Sequence, residues 1–281
     1  MRHICYNWMP LAADHCLDYS EKEYEPTGVK RLHSKTLVPE NVKDGDVVFV
    51  KTDFIEREIF QREYLPKIRA RFILVTGVSD IAVTDKEKFV SILKDERVIK
   101  WYAANNLMGE RIESIPIGFS ENEYDGGNGS TLSRMGRNAI DFEMKSDFIL
   151  LPVHTDTNSN RAKLYNALKE LPFVYCQKEA LPFSEYMGLV NAFKYVFCFE
   201  GNGVDTHRYY EALLVNSVPI ITAGSISKML SNAHVPNIHI NQGEDIDGDW
   251  FFELDKGLDF SHVDSFLDVE THIAKMRDTV R

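Results

Sequence analysis

The stretch 195-YVFCFEGNGVDTHRYYEALLVNSVPIIT-222 decides the fold. Residues 195–199 are a short apolar run rich in aromatic and β-branched side chains, which reads as a buried strand. Residues 200–205 make a turn-rich loop that holds Gly201 and Gly203. Thr206 or Asp205 is suited to cap a helix running to about residue 216, and 218–222 reads as a second buried strand. Strand, loop, helix and strand in that order form a βαβ unit, which implies parallel strands.

The predicted helix is unusual at its start. On a helical wheel His207, Arg208 and Glu211 share one sector, opposite Tyr209, Ala212 and Leu213. Three ionisable side chains thus crowd the first turn and a half of a helix otherwise fit for burial. A helix amino end at the carboxyl edge of a sheet attracts anions, because unpaired N–H groups and the macrodipole point there. Glycines ahead of it let a ligand approach the backbone. Arg208 offers a forked cation for phosphate, and Glu211 offers an acceptor for two vicinal hydroxyls such as a ribose diol. The residues therefore suggest a nucleotide site with Gly201, Asn202, Gly203, Asp205, Thr206 and His207 around it. The competing reading is a capped helix whose Arg208 and Glu211 pair with each other.

Residues 201–221, GNGVDTHRYYEALLVNSVPII, resemble the donor-binding segment of exostosin-like (family 47) glycosyltransferases. In that family a Gly-x-Gly-x-x-x-x-Arg run leads into Glu-Ala-Leu and then a Pro-containing strand. The resemblance implies that Arg208 holds the diphosphate of a nucleotide sugar and Glu211 its ribose. It also implies two Rossmann-like α/β domains facing across a cleft (the GT-B arrangement), with the last helix crossing back to the first domain. The short form, without the usual luminal anchor, most resembles the transferases of large algal viruses. That likeness implies an inverting, metal-independent transfer of xylose from UDP-xylose to an oligosaccharide or glycoprotein acceptor.

Composition is consistent with two α/β domains. The 281 residues are too many for one small domain, and 44% hydrophobic content supports sizeable cores. A net charge of −11 argues against general binding to nucleic acid or to an anionic membrane. No apolar run approaches the length of a membrane span, and MRHICYNWMP is too short and polar for a signal peptide. Cys5, Cys16, Cys176 and Cys198 show no Cys-x-x-Cys spacing, and Cys176 and Cys198 lie in apolar runs as buried thiols. A reducing, cytoplasmic location is expected.

Along the chain, strands are predicted at 4–8, 47–50, 71–76, 98–102 and 112–117, with helices at 55–64 and 86–94 and loops over most of 9–45. Residues 1–125 read as an acceptor-binding domain. The Gly-rich 126–146 reads as the connection and a hinge. Residues 147–262 read as the donor domain, with strands at 147–153, 173–176, 195–199, 218–222 and 238–240, and a terminal helix over 263–280.

Inverting transfer needs a base for the acceptor hydroxyl and positive charge for the departing diphosphate. Arg161, after the loop that follows the 147–153 strand, adds to Arg208, and His154 and Thr155 at that strand end are placed to touch the donor. Gln177 and Lys178, after the 173–176 strand, are placed to read a uracil edge. For the base, Asp53 and Asp80 follow first-domain strands, with Glu56, His15 and His33 as further candidates and N-capping as the alternative use of Asp53. The stretch ILVTGVSD…KWYAANN…IPIGF resembles a bacterial exostosin-like pattern in which a histidine stands where this chain has Gly77. That resemblance leaves Asp80 as base and places Asn106, Gly118 and Phe119 along the acceptor site. Two Asp-x-Asp triplets, at 44–46 and 247–249, lie at a strand's amino end and in an acidic loop, so no metal is expected. Other readings are an epimerase or pyruvyl-type transferase, or a protein that binds nucleotide sugar without turnover. A Rossmann dinucleotide site lacks its third glycine here.

Overall fold

The runs VVFV, FILV and YVF are apolar at every position, as strands buried on both faces of a parallel sheet must be. Each does form such a strand in the computed structural model, which describes residues 3–6, 8–20, 33–120, 126–153, 157–241, 244–254 and 257–279. The chain divides into two compact units, 6–117 with 269–281, and 1–5 with 118–268.

In the first unit the helix α1 (Trp8–Ala12) precedes β1 (His15–Leu17), β2 (Val47–Lys51), α2 (Thr52–Glu56), β3 (Phe72–Gly77), α3 (Glu87–Leu93), β4 (Val98–Ala103) and β5 (Glu113–Ser114). All five strands are parallel and stand in the order β1-β2-β3-β4-β5. The core packs Val48, Val50, Phe60, Phe72, Leu74, Phe89 and Trp101. Three expectations are corrected here. Residues 4–8 are not a strand: Trp8 begins a helix, and β1 lies in a stretch read as loop, because three residues with a polar start are too short to show a period. The helix expected over 55–64 stops at Glu56, because Glu58 takes a left-handed φ of 59°, and a π-type turn (Phe60–Tyr64) follows. The strand expected at 112–117 is only Glu113–Ser114.

The second unit carries α4 (Gly129–Arg137), β6 (Ser146–Leu151), α5 (Ser159–Leu168), β7 (Val174–Cys176), α6 (Phe183–Ala192), β8 (Phe193–Phe197), α7 (His207–Leu214), β9 (Val218–Thr222), α8 (Ser225–Asn232), β10 (Ile238–Ile240), α9 (Gly248–Phe252) and α10 (Val263–Leu267). Asn128, within the stretch read as a hinge, N-caps α4 by accepting from Ser130 N and Thr131 N. The five parallel strands stand in the order β7-β6-β8-β9-β10. Chain order therefore reverses between β6 and β8, which makes a topological switch point there. Only this sheet has the reversal that a doubly wound, Rossmann-like half needs. The first sheet follows chain order throughout and has no switch point. The helix expected over 263–280 is two helices, α10 and α11 (Val269–Asp278), divided at the extended Asp268, and α11 belongs to the first unit.

All four cysteines are free thiols, and Cys198 is buried. Among the described residues no helix is long and apolar enough to cross a membrane.

Candidate functional site

In open parallel sheets ligands settle at the carboxyl edge where strand order reverses. In the second unit that is the edge between β6 and β8, and two loops meet there. The loop after β8 leads through Gly201 and Gly203 to α7, and the loop after β6 leads to α5 and Arg161.

Arg161 ties the two loops together. It is buried, at 6% exposure. Its Nη2 donates to the Phe199 carbonyl at 2.6 Å and its Nη1 to Thr157 Oγ1 at 3.0 Å. Asn158, the N-cap of α5, donates from Nδ2 to the Gly201 carbonyl at 2.9 Å. Gly201 lies against the guanidinium: a Cβ there would sit 3.2 Å from Arg161 Nη2. Gly203 is buried and Asn202 exposed.

The amino end of α7 differs from the expected capped helix. Thr206 occupies the N-cap position, with φ −143°, but its side chain makes no capping hydrogen bond. Asp205 accepts instead from the buried Tyr210 hydroxyl at 2.6 Å. His207 Nδ1 is hydrogen bonded to the Gly118 carbonyl at 2.7 Å, which requires the Nδ1–H form. The helix closes near Asn216, whose φ of 57° is the left-handed turn common after a helix. Ser217 then donates to the carbonyls of Val190 and Phe193.

Arg208 and Glu211 are each 8% exposed. Among the described residues no ion pair joins them, so the self-paired reading does not describe this helix. Burial opposes the Arg208 charge, but Tyr186, Cys198 and Glu211 beside it more than offset this, and its pKa lies above the ordinary arginine value. Burial raises the Glu211 pKa, against the pull of His207 and Arg208. Sequence reasoning missed Tyr186. Its side chain comes from α6, its hydroxyl is buried, and it makes no hydrogen bond of normal geometry. It lies close enough to Glu211 and Arg208 for both to act on it, although burial is the main cause of its raised pKa. Cys198, whose thiol burial also pushes up, donates to the Arg208 carbonyl at 3.6 Å. A cation, an acceptor and a hydroxyl thus share one buried patch at a helix start that its N-cap residue Thr206 does not cap. No local motif marked Tyr186, because its role depends on α6 packing beside α7.

No protein-family model matches the sequence, and no curated protein matches it. One similar solved structure is the crystal structure of AviGT4, a glycosyltransferase involved in avilamycin A biosynthesis. It is 13% identical, with a TM-score of 0.44 over 90% of this chain and 82% of that one. A likeness this faint identifies neither family nor chemistry.

The remaining expected site residues are placed as follows. Gln177 is buried; its Nε2 donates to the Glu179 carbonyl at 2.7 Å and its Oε1 is buried without a partner among the described residues. His154 and Thr155 lie outside the described residues. Gly118 and Phe119 fall in the second unit, not with 6–117 as expected. Gly118 has φ 77°, and a Cβ would lie 2.2 Å from the Ile4 carbonyl oxygen. Phe119 is fully buried between His3 and Tyr210. It is core, with no surface to offer an acceptor. Asn106 is likewise structural: its Nδ2 donates to Gly109 O, Ile112 O and Ser114 Oγ, and its Oδ1 accepts from Met108 N.

In the first unit Asp53 and Asp80 both follow strand carboxyl ends. Asp53 is not a cap, because Lys51 holds the N-cap position and Asp53 lies in the first turn of α2. It pairs with Lys51 at 3.7 Å and accepts from the Tyr19 hydroxyl at 3.5 Å. Asp80 is exposed in the turn after β3. His15 bonds Asp46 at the amino edge of the strands, the wrong end for a ligand. His33 is bonded through both nitrogens, to Asp18 Oδ2 and the Lys35 carbonyl. Glu56 pairs with Lys88 at 2.9 Å. At Gly77, where the resemblance expects histidine, a Cβ would sit 2.4 Å from Met9 Sδ, so α1 already fills that slot. Three of the four Asp-x-Asp carboxylates serve the backbone: Asp44 accepts from Arg71 N, Asp46 from Lys43 N and Asp247 from Trp250 N. Among the described residues no three His, Cys, Asp or Glu side chains group as metal ligands.

Proposed function

We propose that the protein is a glycosyltransferase that binds a UDP-sugar at the β6/β8 switch point. One observation carries the reading. Arg161, the Gly201–Gly203 loop and the start of α7, which Thr206 does not cap, with buried Arg208 and Glu211, converge on the edge where a parallel sheet binds ligands. The diphosphate would take its hydrogen bonds from the α7 amino end and Arg208. Glu211 would accept from the ribose diol. Arg161 would hold the 199–201 segment in place and add positive potential.

Transfer requires the glycosyl–oxygen bond to break as the acceptor oxygen attacks, with UDP taking the bonding electrons and a base taking the acceptor proton. The developing charge is on the leaving diphosphate, so preorganised Arg208 and helix N–H groups lower that barrier without reorganising. We assign the base to Asp53 rather than Asp80, because Lys51 and Tyr19 hold the Asp53 carboxylate while Asp80 sits in an exposed turn. Inversion at the anomeric carbon, xylose as the donor sugar, membership of the exostosin-like family and independence from divalent metal belong to the same proposal and rest on the sequence resemblance.

Calorimetry with UDP, UDP-xylose, UDP-glucose and GDP-mannose tests the site, and radiolabelled UDP-xylose with a xylan or glycoprotein acceptor tests transfer. Saturable UDP binding abolished in Arg208→Ala, with labelled sugar reaching the acceptor in EDTA, is the expected result. UDP binding that survives Arg208→Ala would overturn the site. Binding without transfer to any acceptor would leave a nucleotide-sugar-binding protein.

A further inference from the structure

The donor-site reading leaves two consecutive residues of α7 aside. Tyr209 and Tyr210 are 1% and 0% exposed, so neither offers surface to a ligand. Their hydroxyls instead reach back to two consecutive residues of the loop ahead of the helix. Tyr210 donates to Asp205 Oδ2 at 2.6 Å, and Tyr209 donates to the Val204 carbonyl at 3.3 Å. Burial raises both phenol pKa values, and the Asp205 charge adds to it, so both hydroxyls keep their protons and remain donors. The Tyr210 ring is fixed by Phe119, 6.2 Å away between centroids, and by Phe266, on which it stacks at 6.1 Å.

The loop is held at its other end by α5, where Arg161 and Asn158 bond the Phe199 and Gly201 carbonyls. With Val204, three carbonyls of the 199–204 segment are therefore engaged. Its N–H groups are not: among the described residues, those of Gly201, Asn202, Gly203 and Val204 donate to no acceptor. Gly203 is buried, and a buried N–H without an acceptor is rare in folded proteins. The carboxylates of the same loop are engaged as well, Asp205 by Tyr210 and Glu200 by Thr222. What the segment lacks is an acceptor, and successive N–H groups in a turn suit an anion.

We propose that Tyr209 and Tyr210 are positioning residues, which hold the 201–204 main chain so that its N–H groups cradle the diphosphate of the nucleotide. This rests on the donor-site reading above and adds a second holder of the phosphates beside Arg208. Neither tyrosine touches the ligand, and each acts through the loop. Bonds made before the ligand arrives spare it the cost of ordering that loop.

Calorimetry with UDP on the full chain compares wild type with Tyr209→Phe and Tyr210→Phe, which keep the rings and remove the hydroxyls. Affinity should fall about tenfold or more in Tyr210→Phe, whose bond is to a charged group, and less in Tyr209→Phe. Asp205→Asn tests the same bond should Tyr210→Phe fail to fold. A spectroscopic readout separates positioning from general support. In protein nitrogen-labelled at glycine, the amide signals of Gly201 and Gly203, assigned from Gly201→Ala and Gly203→Ala, should move downfield when UDP is added to wild type. At saturating UDP they should move less in Tyr210→Phe. UDP affinity unchanged in both tyrosine variants overturns the proposal. So do glycine signals that UDP leaves in place, or that move equally in wild type and Tyr210→Phe. UDP binding indifferent to Arg208→Ala would strike the donor site and this cradle together, whereas binding that needs Arg208 and ignores both tyrosines would strike the cradle alone.

Discussion

Glu211→Gln separates what α7 costs the empty protein from what it does for a ligand. Glutamine keeps the shape and removes the charge. In the empty protein Glu211 is 8% exposed, no ion pair among the described residues reaches it, and burial lifts its pKa above the ordinary 4.5 despite the pull of His207 and Arg208. An acid whose pKa is raised by folding contributes its full stability below the unfolded pKa and loses it as pH rises through the folded value. Each unit of that shift is worth about 1.4 kcal/mol. The variant should therefore match the wild type near pH 4 and exceed it at pH 7, by roughly 2–4 °C in Tm for each kcal/mol regained. Toward a nucleotide the sign reverses. Hydrogen bonds to a charged acceptor are worth about 1.5–3 kcal/mol, so UDP should bind about ten- to a hundredfold more weakly. Calorimetry with UDP and 2′,3′-dideoxy-UDP on both proteins closes a cycle that isolates the diol contact. Removing the diol should cost the wild type that full amount and the variant little. An equal loss in both proteins, or a variant less stable than wild type at pH 7, would refute the assignment of Glu211.

Gly118→Ala should lower the urea-unfolding free energy by at least about 2 kcal/mol, because an L-residue at φ 77° is strained and its methyl would meet the Ile4 carbonyl. Lys145, buried against the Asn191 carbonyl and side-chain oxygens, has its pKa lowered to about 8 by burial. A base depressed by folding regains stability above its unfolded pKa and loses it as pH falls through the folded one. Wild type should thus gain up to about 3 kcal/mol relative to Lys145→Met between pH 7 and pH 10.5 in urea titrations. Tyr186→Phe should raise stability by about 1 kcal/mol, since it removes a buried hydroxyl without a well-formed hydrogen bond. A loss instead would show that the hydroxyl bonds Arg208 or Glu211 in solution.

Elements and site were not equally legible in the sequence. Strands such as 72–77 and 218–222 are readable because both faces are buried, so all but their last residues form an unbroken apolar run and no period is needed. β1 is hidden because three residues carry no pattern. Gly77, at the end of β3, explains a departure that sequence alone could only record: Met9, from a helix whose residues past Trp8 were read as loop, occupies the space a side chain would need. Asn106 and Phe119 were placed along an acceptor site by the resemblance alone. Asn106 spends its amide on closing its own turn, and Phe119 sits under Tyr210 of α7.

The residues proposed to hold a donor divide along the same line. Arg208 and Glu211 were visible because three ionisable groups at a buried helix start are locally improbable. Arg161 was visible only as an arginine after a strand, and what gives it meaning is strand order. β6 and β8 are separated in the chain by α5, β7 and α6, yet they are hydrogen-bonded neighbours. That adjacency brings Arg161 Nη2 to the Phe199 carbonyl and aims two loops at one place. Strand order follows from how crossovers pack, which no window of residues encodes. The same logic explains why the base is harder to assign than the donor site. A sheet ordered β1-β2-β3-β4-β5 has no reversal, so no crevice singles out one strand end, and Asp53 and Asp80 differ only in how each carboxylate is held. Asp53→Asn should therefore abolish transfer while leaving UDP affinity intact, and Asp80→Asn should leave both unchanged. The opposite pattern would move the base to the exposed turn after β3.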